Sequence, residues 1–241
     1  MWTDVIHLRD FYSTSLGKVA QRVISRQLQV MWPDHSGQIV LGIGYSNPYL
    51  KLFYSNAERT LSAMPAAQGV LQWPSDNLSL TTLVDEIELP FPDLSIDRVL
   101  LIHALECTEN VHPLLREIWR VLSGNGRLIV VAPNRQGLWA QLERTPFGHG
   151  QPYSPSQLSR LLKENFFTPV RTHPALFTPP SQSRMILSSS SAWEELGRRA
   201  FRSFAGVILT EAEKQIYATR ATSNKKDRRR YIPAQQQTPR I

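Results

Sequence analysis

A chain of 241 residues, 41% hydrophobic and 20% charged, can bury a sizeable core as one domain and is too short for two large ones. Its single cysteine, Cys107, excludes an internal disulfide and any multi-cysteine metal site, in keeping with a reducing cytoplasm. The formal charge of +7 would indicate an acidic partner if it were spread over the body, but residues 220–241 hold seven basic residues against one acid, Asp227, and carry +6 of it.

At the start of the chain, Asp4, His7, Arg9 and Asp10 leave no apolar region of the signal-peptide kind. No later stretch approaches the ~20 apolar residues needed to span a bilayer. A soluble, cytoplasmic protein without a transmembrane segment or a metal site is expected. Leu16, Val19, Ala20, Val23, Ile24, Leu28 and Met31 recur at spacings of three and four, which predicts an amphipathic helix over Ser15–Met31, ended by Trp32-Pro33. Gln38–Leu41 reads as a first buried strand. Gly42-Ile43-Gly44-Tyr45-Ser46-Asn47-Pro48 then turns the chain into a helix near Tyr49, with Asn47 as its cap and Pro48 in its first turn. Arg59–Met64 is a candidate second strand and Leu83–Ile87 a short third.

Leu89-Pro90-Phe91-Pro92-Asp93 is a rigid extended loop. Val99–Ile102 behind it is an unbroken apolar run without alternation, which suits a parallel strand covered on both faces. His112-Pro113 opens a helix with Leu114, Leu115, Ile118, Val121 and Leu122 on one side, and Ser123-Gly124-Asn125-Gly126 is its stop signal. Arg127–Ala132 is the next buried strand and Gln157–Asn165 a further helix. Phe167–Thr172 and Arg184–Ser188 read as final strands, with Ala192–Phe204 and Glu211–Thr219 as helices. Helices alternating with unbroken apolar strands predict an α/β fold, a doubly wound and mostly parallel sheet.

Two blocks carry a family resemblance: Glu88–Glu106, and Leu114–Asn134 with its Leu-Leu-Arg-Glu-Ile-Trp-Arg-Val-Leu-Ser-Gly-Asn-Gly run. At this separation they resemble the middle and the fifth strand of class I S-adenosylmethionine (SAM)-dependent methyltransferases. The similarity covers Gln38–Thr172 and is closest to the quinone-biosynthesis-like branch called type 11. It implies a seven-stranded Rossmann-like sheet with SAM at the carboxyl ends of the first strands. Together with the helical spacing and the charge of residues 220–241, the expected domain order is an N-terminal helical cap over 1–36, a methyltransferase-like domain over 37–190, a helical extension over 191–219 and a flexible basic tail over 220–241.

The same resemblance assigns the cofactor to Gly42, Gly44, Tyr45, Asp85, Glu86 and His103. The glycine-rich turn departs from the family pattern. The family commonly has an acid where Gly42 stands, and glycines where Ser46 and Pro48 stand. The ribose-binding acid after the second strand is replaced by Ala63, Met64 and Pro65. The N–H groups of Tyr49 and Leu50 remain candidates for an anionic ligand at a helix start. His103, at the carboxyl edge of the sheet, can be a proton acceptor or can cap strand and helix. Glu106 can orient it. Asn134, Arg135, His149 and Tyr153 are candidate substrate contacts, or polar loop and turn residues.

Three functions remain open at this point. The first is methyl transfer from SAM to a small or lipid-like acceptor, which needs alignment more than an acid–base pair. The second is a non-catalytic member of the fold that binds a protein partner. The third is contact of the basic tail with nucleic acid or an anionic surface.

Overall fold

The computed structural model describes residues 2–76 and 78–216; the basic tail lies outside the described residues. Two helices open the chain, α1 (Val5–Ser13) and α2 (Ser15–Met31). Each has a side-chain N-cap: Asp4 accepts from the Ile6 N–H, and Thr14 from that of Gly17. β1 (Ile39–Gly44), β2 (Arg59–Pro65), β3 (Thr81–Val84), β4 (Ile96–Ile102) and β5 (Leu122–Pro133) are parallel. The short α3 (Asn47–Leu50), α4 (Val111–Val121) and α5 (Pro155–Glu164) interrupt them and follow them. β6 (Phe167–Ala175), α6 (Arg184–Ser188), α7 (Ser190–Ala200) and β7 (Val207–Lys214) close the chain. The seven strands form one sheet in the order β3-β2-β1-β4-β5-β7-β6, with β7 antiparallel to both neighbours.

The apolar runs become central strands because both faces of the sheet are covered. Val40, Leu100, Ile102, Ile129 and Val131 face a core built with α1 and α2. Leu41, Ile43, Val99, Leu101, Leu128 and Val130 face a second core built with α4 and α5. Registration is fixed across the centre, with Gly42 opposite Leu100 and Leu100 opposite Ile129. The Leu-Pro-Phe-Pro-Asp loop is held by Arg120, whose guanidinium donates to the carbonyls of Leu89 and Phe91 and to Asp93.

Four elements differ from expectation. Arg184–Ser188 is helix α6, not a strand: its apolar run has no neighbouring strand to pair with. Glu211–Thr219 is not a helix over its described part, because Glu211–Lys214 lies inside β7 between β5 and β6. Helix α4 ends at Val121, just before the Ser123–Gly126 stop signal, but β5 begins at Leu122 and runs through that signal instead of starting at Arg127. The third strand starts at Thr81 and ends at Val84; Asp85–Ile87 is a turn closed by the Asp85 carboxylate accepting from the Ile87 N–H. Within the N-terminal stretch, α1 precedes the helix expected over Ser15–Met31.

Candidate functional site

In an open α/β sheet, ligands bind beyond the carboxyl ends of the strands where the strand order reverses. That point lies here between β1 and β4, bounded by the turn Tyr45–Asn47 and the loop His103–Glu106. Gly44 at the end of β1 has φ +78°, and a Cβ on it would lie 2.3 Å from the Ile102 carbonyl oxygen. Only glycine lets the two strand ends approach so closely.

The crevice is filled from within. Helix α1 lies across it, and its inward residues Val5, Leu8 and Tyr12 are buried. The Val5 N–H donates to the Gln68 carbonyl, tying α1 to the segment after β2. Tyr12 is the central plug. Its ring stacks on Tyr45 and meets Tyr49 and His103 edge-on. Its hydroxyl is 2.9 Å from the Tyr49 hydroxyl and 2.7 Å from His103 Nε2.

His103 sits at φ +51°, an unusual conformation for a side chain of this size. It is held there from three sides. Gln68 donates its amide to the His103 carbonyl at 2.8 Å, Tyr12 meets Nε2, and Glu106 Oε1 lies 3.4 Å from Nδ1. A carboxylate at Nδ1 favours the Nδ1–H tautomer, which leaves Nε2 to accept from the Tyr12 hydroxyl. The Tyr49 hydroxyl then donates to Tyr12. Burial pushes the Tyr12 hydroxyl pKa well above its ordinary value, reinforced by Tyr49, and pushes Tyr45 up to about 12. The network is therefore a chain of protonated phenols ending on a buried imidazole and carboxylate.

A sulfonium nucleoside needs N–H donors free for its carboxylate and an acceptor pair for its ribose diol. The Tyr49 and Leu50 N–H groups both donate to the Ser46 carbonyl and are not directed at a ligand, contrary to expectation. Ser46, rather than Asn47, stands at the N-cap of α3, a helix of four residues. A Cβ on Gly42 would collide with Ser46 Oγ at 2.0 Å, so the turn packs on itself and cradles nothing. Met64 is buried, with its sulfur 3.7 Å from the Asn47 amide nitrogen, and offers no carboxylate. Asp85 is exposed, and Glu86 accepts from Thr108 at 3.4 Å. With α1 docked, these residues do not fit the cofactor. Yet Ser46 Oγ, Gln68 Oε1 and Glu106 Oε2 are buried without a hydrogen-bond partner. Three such atoms around one crevice leave more polar capacity than the fold itself uses.

The remaining predicted contacts separate into two groups. Asn134 donates to the carbonyls of Ser203 and Ala205 and so fastens the start of β7. His149 is exposed, and Gly150 packs on the Glu106 carbonyl, which accepts from the Gln151 N–H. Arg135 and Tyr153 line an open cleft of about 400 Å³ between α4 and α5, together with His112 and Arg160. Among the described residues no cluster of His, Cys, Asp or Glu could hold a metal ion. Tyr12 and Gln68 were missed by sequence reasoning. The signal for the first was present: Val5, Leu8 and Tyr12 at helical spacing behind the cap Asp4.

Cys107 ends this loop, and burial, then the charge of Glu106, pushes its thiol up to about 12. Ellman's reagent at pH 8 is expected to leave the folded protein unreacted and to titrate one thiol in urea. Rapid reaction without denaturant would mean that the His103–Cys107 loop opens.

By its architecture the chain has the fold of class I SAM-dependent methyltransferases. Residues 33–130 match the family model described as a methyltransferase domain, and the sheet continues beyond that match through β7. Three solved structures agree. The Haloferax volcanii methyltransferase in complex with the Trm112 activator is 15% identical, with TM-score 0.62 over 88% of this chain and 99% of that one. A SAM-dependent methyltransferase from Thermotoga maritima is 14% identical, with TM-score 0.60 over 86% and 94%. The Burkholderia thailandensis 1,6-didemethyltoxoflavin-N1-methyltransferase, solved with S-adenosylhomocysteine, is 15% identical, with TM-score 0.55 over 86% and 82%. No curated protein matches the sequence. Among the described residues no helix is long and apolar enough to cross a membrane.

Proposed function

We propose that this chain is a SAM-dependent methyltransferase whose cofactor crevice is closed by its own helix α1, and that it acts on a small or lipid-like acceptor. The observation that carries the reading is the Tyr12 hydroxyl bonded to His103 Nε2 at the β1/β4 switch point, where the fold family holds its nucleoside. SAM would supply an activated methyl group. When α1 withdraws, His103, Gln68, Ser46 and Glu106 are the side chains left facing the vacated space. Asp85 and Glu86 border it beyond β3. The cleft lined by Arg135, His112 and Tyr153 is a candidate entry for the acceptor.

A second reading is favoured by a separate observation. The spent N–H groups of Tyr49 and Leu50 and the buried Met64 support a non-catalytic member that binds a protein partner, as the Haloferax volcanii relative does its activator. Calorimetric titration of the full chain with SAM and S-adenosylhomocysteine separates the two. Binding that is weak in the parent and tightened by loosening α1 supports the enzyme. No heat with either ligand, in the parent or in an α1 variant, rejects it in favour of the partner-binding reading.

A further inference from the structure

The helical insertion between β6 and β7 has a surface that neither core accounts for. Residues 184–204 leave β6 at the carboxyl edge of the sheet and return to it at Val207. They are anchored firmly. The half-buried Glu194 carboxylate accepts from the N–H groups of Leu176, Phe177 and Thr178, and α7 packs through Gly197 on the Phe177 ring. The exposed side chains of this anchored unit include five large apolar ones. Met185, Trp193, Leu196, Phe201 and Phe204 are exposed, Met185 by 80% and Phe204 by 59%. Next to it, Gly137 packs against the Ala205 backbone, which brings the exposed Leu138 to the same rim.

Charge indicates what covers this face. The segment holds four arginines, Arg184, Arg198, Arg199 and Arg202, against Glu194 and Glu195. Glu194 is occupied inward, and Glu195 pairs with Arg198 and Arg199. Arg184 and Arg202 make no ion pair among the described residues. Aromatic and aliphatic side chains rimmed by arginine are the composition of a helix that lies in the headgroup region of a bilayer. A protein groove would match the apolar residues equally well but would not call for the cationic rim.

We propose that the β6–β7 insertion docks this protein on anionic lipid surfaces, with Trp193, Phe201 and Phe204 entering the interface and Arg184 and Arg202 meeting lipid phosphates. The docking is independent of the cofactor reading and is measured without SAM. It would also set the open rim of the sheet against a membrane.

The test is flotation of the full chain with vesicles of phosphatidylcholine containing about a third phosphatidylglycerol, against vesicles of phosphatidylcholine alone. Binding is expected to the anionic vesicles only. It should fall at least about tenfold in Trp193→Ser/Phe204→Ser and in Arg184→Glu/Arg202→Glu. All four side chains are exposed or nearly so, and unchanged melting curves verify folding of the variants. A third variant, Arg228→Ser/Arg229→Ser/Arg230→Ser, separates the basic tail from the insertion. Absence of flotation overturns the proposal. So does binding that survives both insertion variants and is lost only with the tail arginines.

Discussion

Tyr12→Ala is expected to bind S-adenosylhomocysteine at least about tenfold more tightly than the parent chain, although it is the less stable protein. The reason is a competition for one space. Tyr12 fills the β1/β4 crevice, touching Tyr45, Tyr49 and His103 with its ring and bonding two of them through its hydroxyl. A ligand that needs this crevice is penalised by the fraction of molecules that are open. Truncating a buried aromatic side chain costs about 3–5 kcal/mol. If only about 2 kcal/mol of that belongs to the docked form of α1, the balance between closed and open shifts by about thirtyfold. Tyr12→Phe keeps the ring and loses the hydroxyl. It should shift affinity much less, because most of the plug remains. Equal affinities of parent and Tyr12→Ala would show that α1 is no gate.

The second large effect is on stability. Glu211 is fully buried at the centre of β7, accepting from Trp32 Nε1 at 3.0 Å, from Arg127 at 3.2 Å and from Arg171 at 2.6 Å. It thereby joins the end of α2 to β5 and β6. Glu211→Ala leaves the Trp32 indole N–H without its acceptor and leaves Arg127 and Arg171 with only Glu213 and the Met31 carbonyl, respectively. Removing one partner from a buried charge cluster costs about 3–5 kcal/mol. The lower end applies, because Arg127 and Arg171 are about a third exposed and can turn to water. A loss of about 3 kcal/mol corresponds to a fall in Tm of about 6–12 °C for a domain of this size. Glu211→Gln keeps an acceptor for Trp32 and should lie between. An unfolding free energy from urea melts that falls by less than about 1 kcal/mol in the alanine variant would remove Glu211 from the account of how β7 is held.

These two residues also mark where sequence reading stops. The central strands were legible because runs such as Val99–Ile102 and Leu128–Ala132 are apolar at every position, a pattern that a doubly covered parallel strand alone tolerates well. The helices α2, α4 and α5 were legible from their spacing. Glu211–Lys214, by contrast, contains good helix formers and reads as helix on propensity. The sheet overrides that preference, since β7 fills the gap between β5 and β6 and two arginines neutralise its buried carboxylate. Arg184–Ser188 fails in the opposite direction, an apolar run without a strand to pair with.

In the site, Gly44 and His103 were visible because they follow strands in known positions. What closes the site was not. Tyr12 and His103 are 91 residues apart, and no local motif connects a tyrosine on an N-terminal helix with the end of the fourth strand. Likewise, the turn at Gly42–Pro48 announces a departure from the family pattern. That Ser46 would take both N–H groups of the next helix follows only from the coordinates.

The central claim is that α1 and a nucleoside ligand compete for the β1/β4 crevice. Hydrogen exchange of the α1 amides, above all the Val5 N–H bonded to Gln68, tests it directly when measured with and without saturating S-adenosylhomocysteine. A ligand normally slows exchange near its site. Here the ligand is predicted to speed it in α1 while slowing it in the loop 103–107, because binding drives the helix off. Slowed or unchanged exchange in α1 with ligand demonstrably bound would contradict the claim.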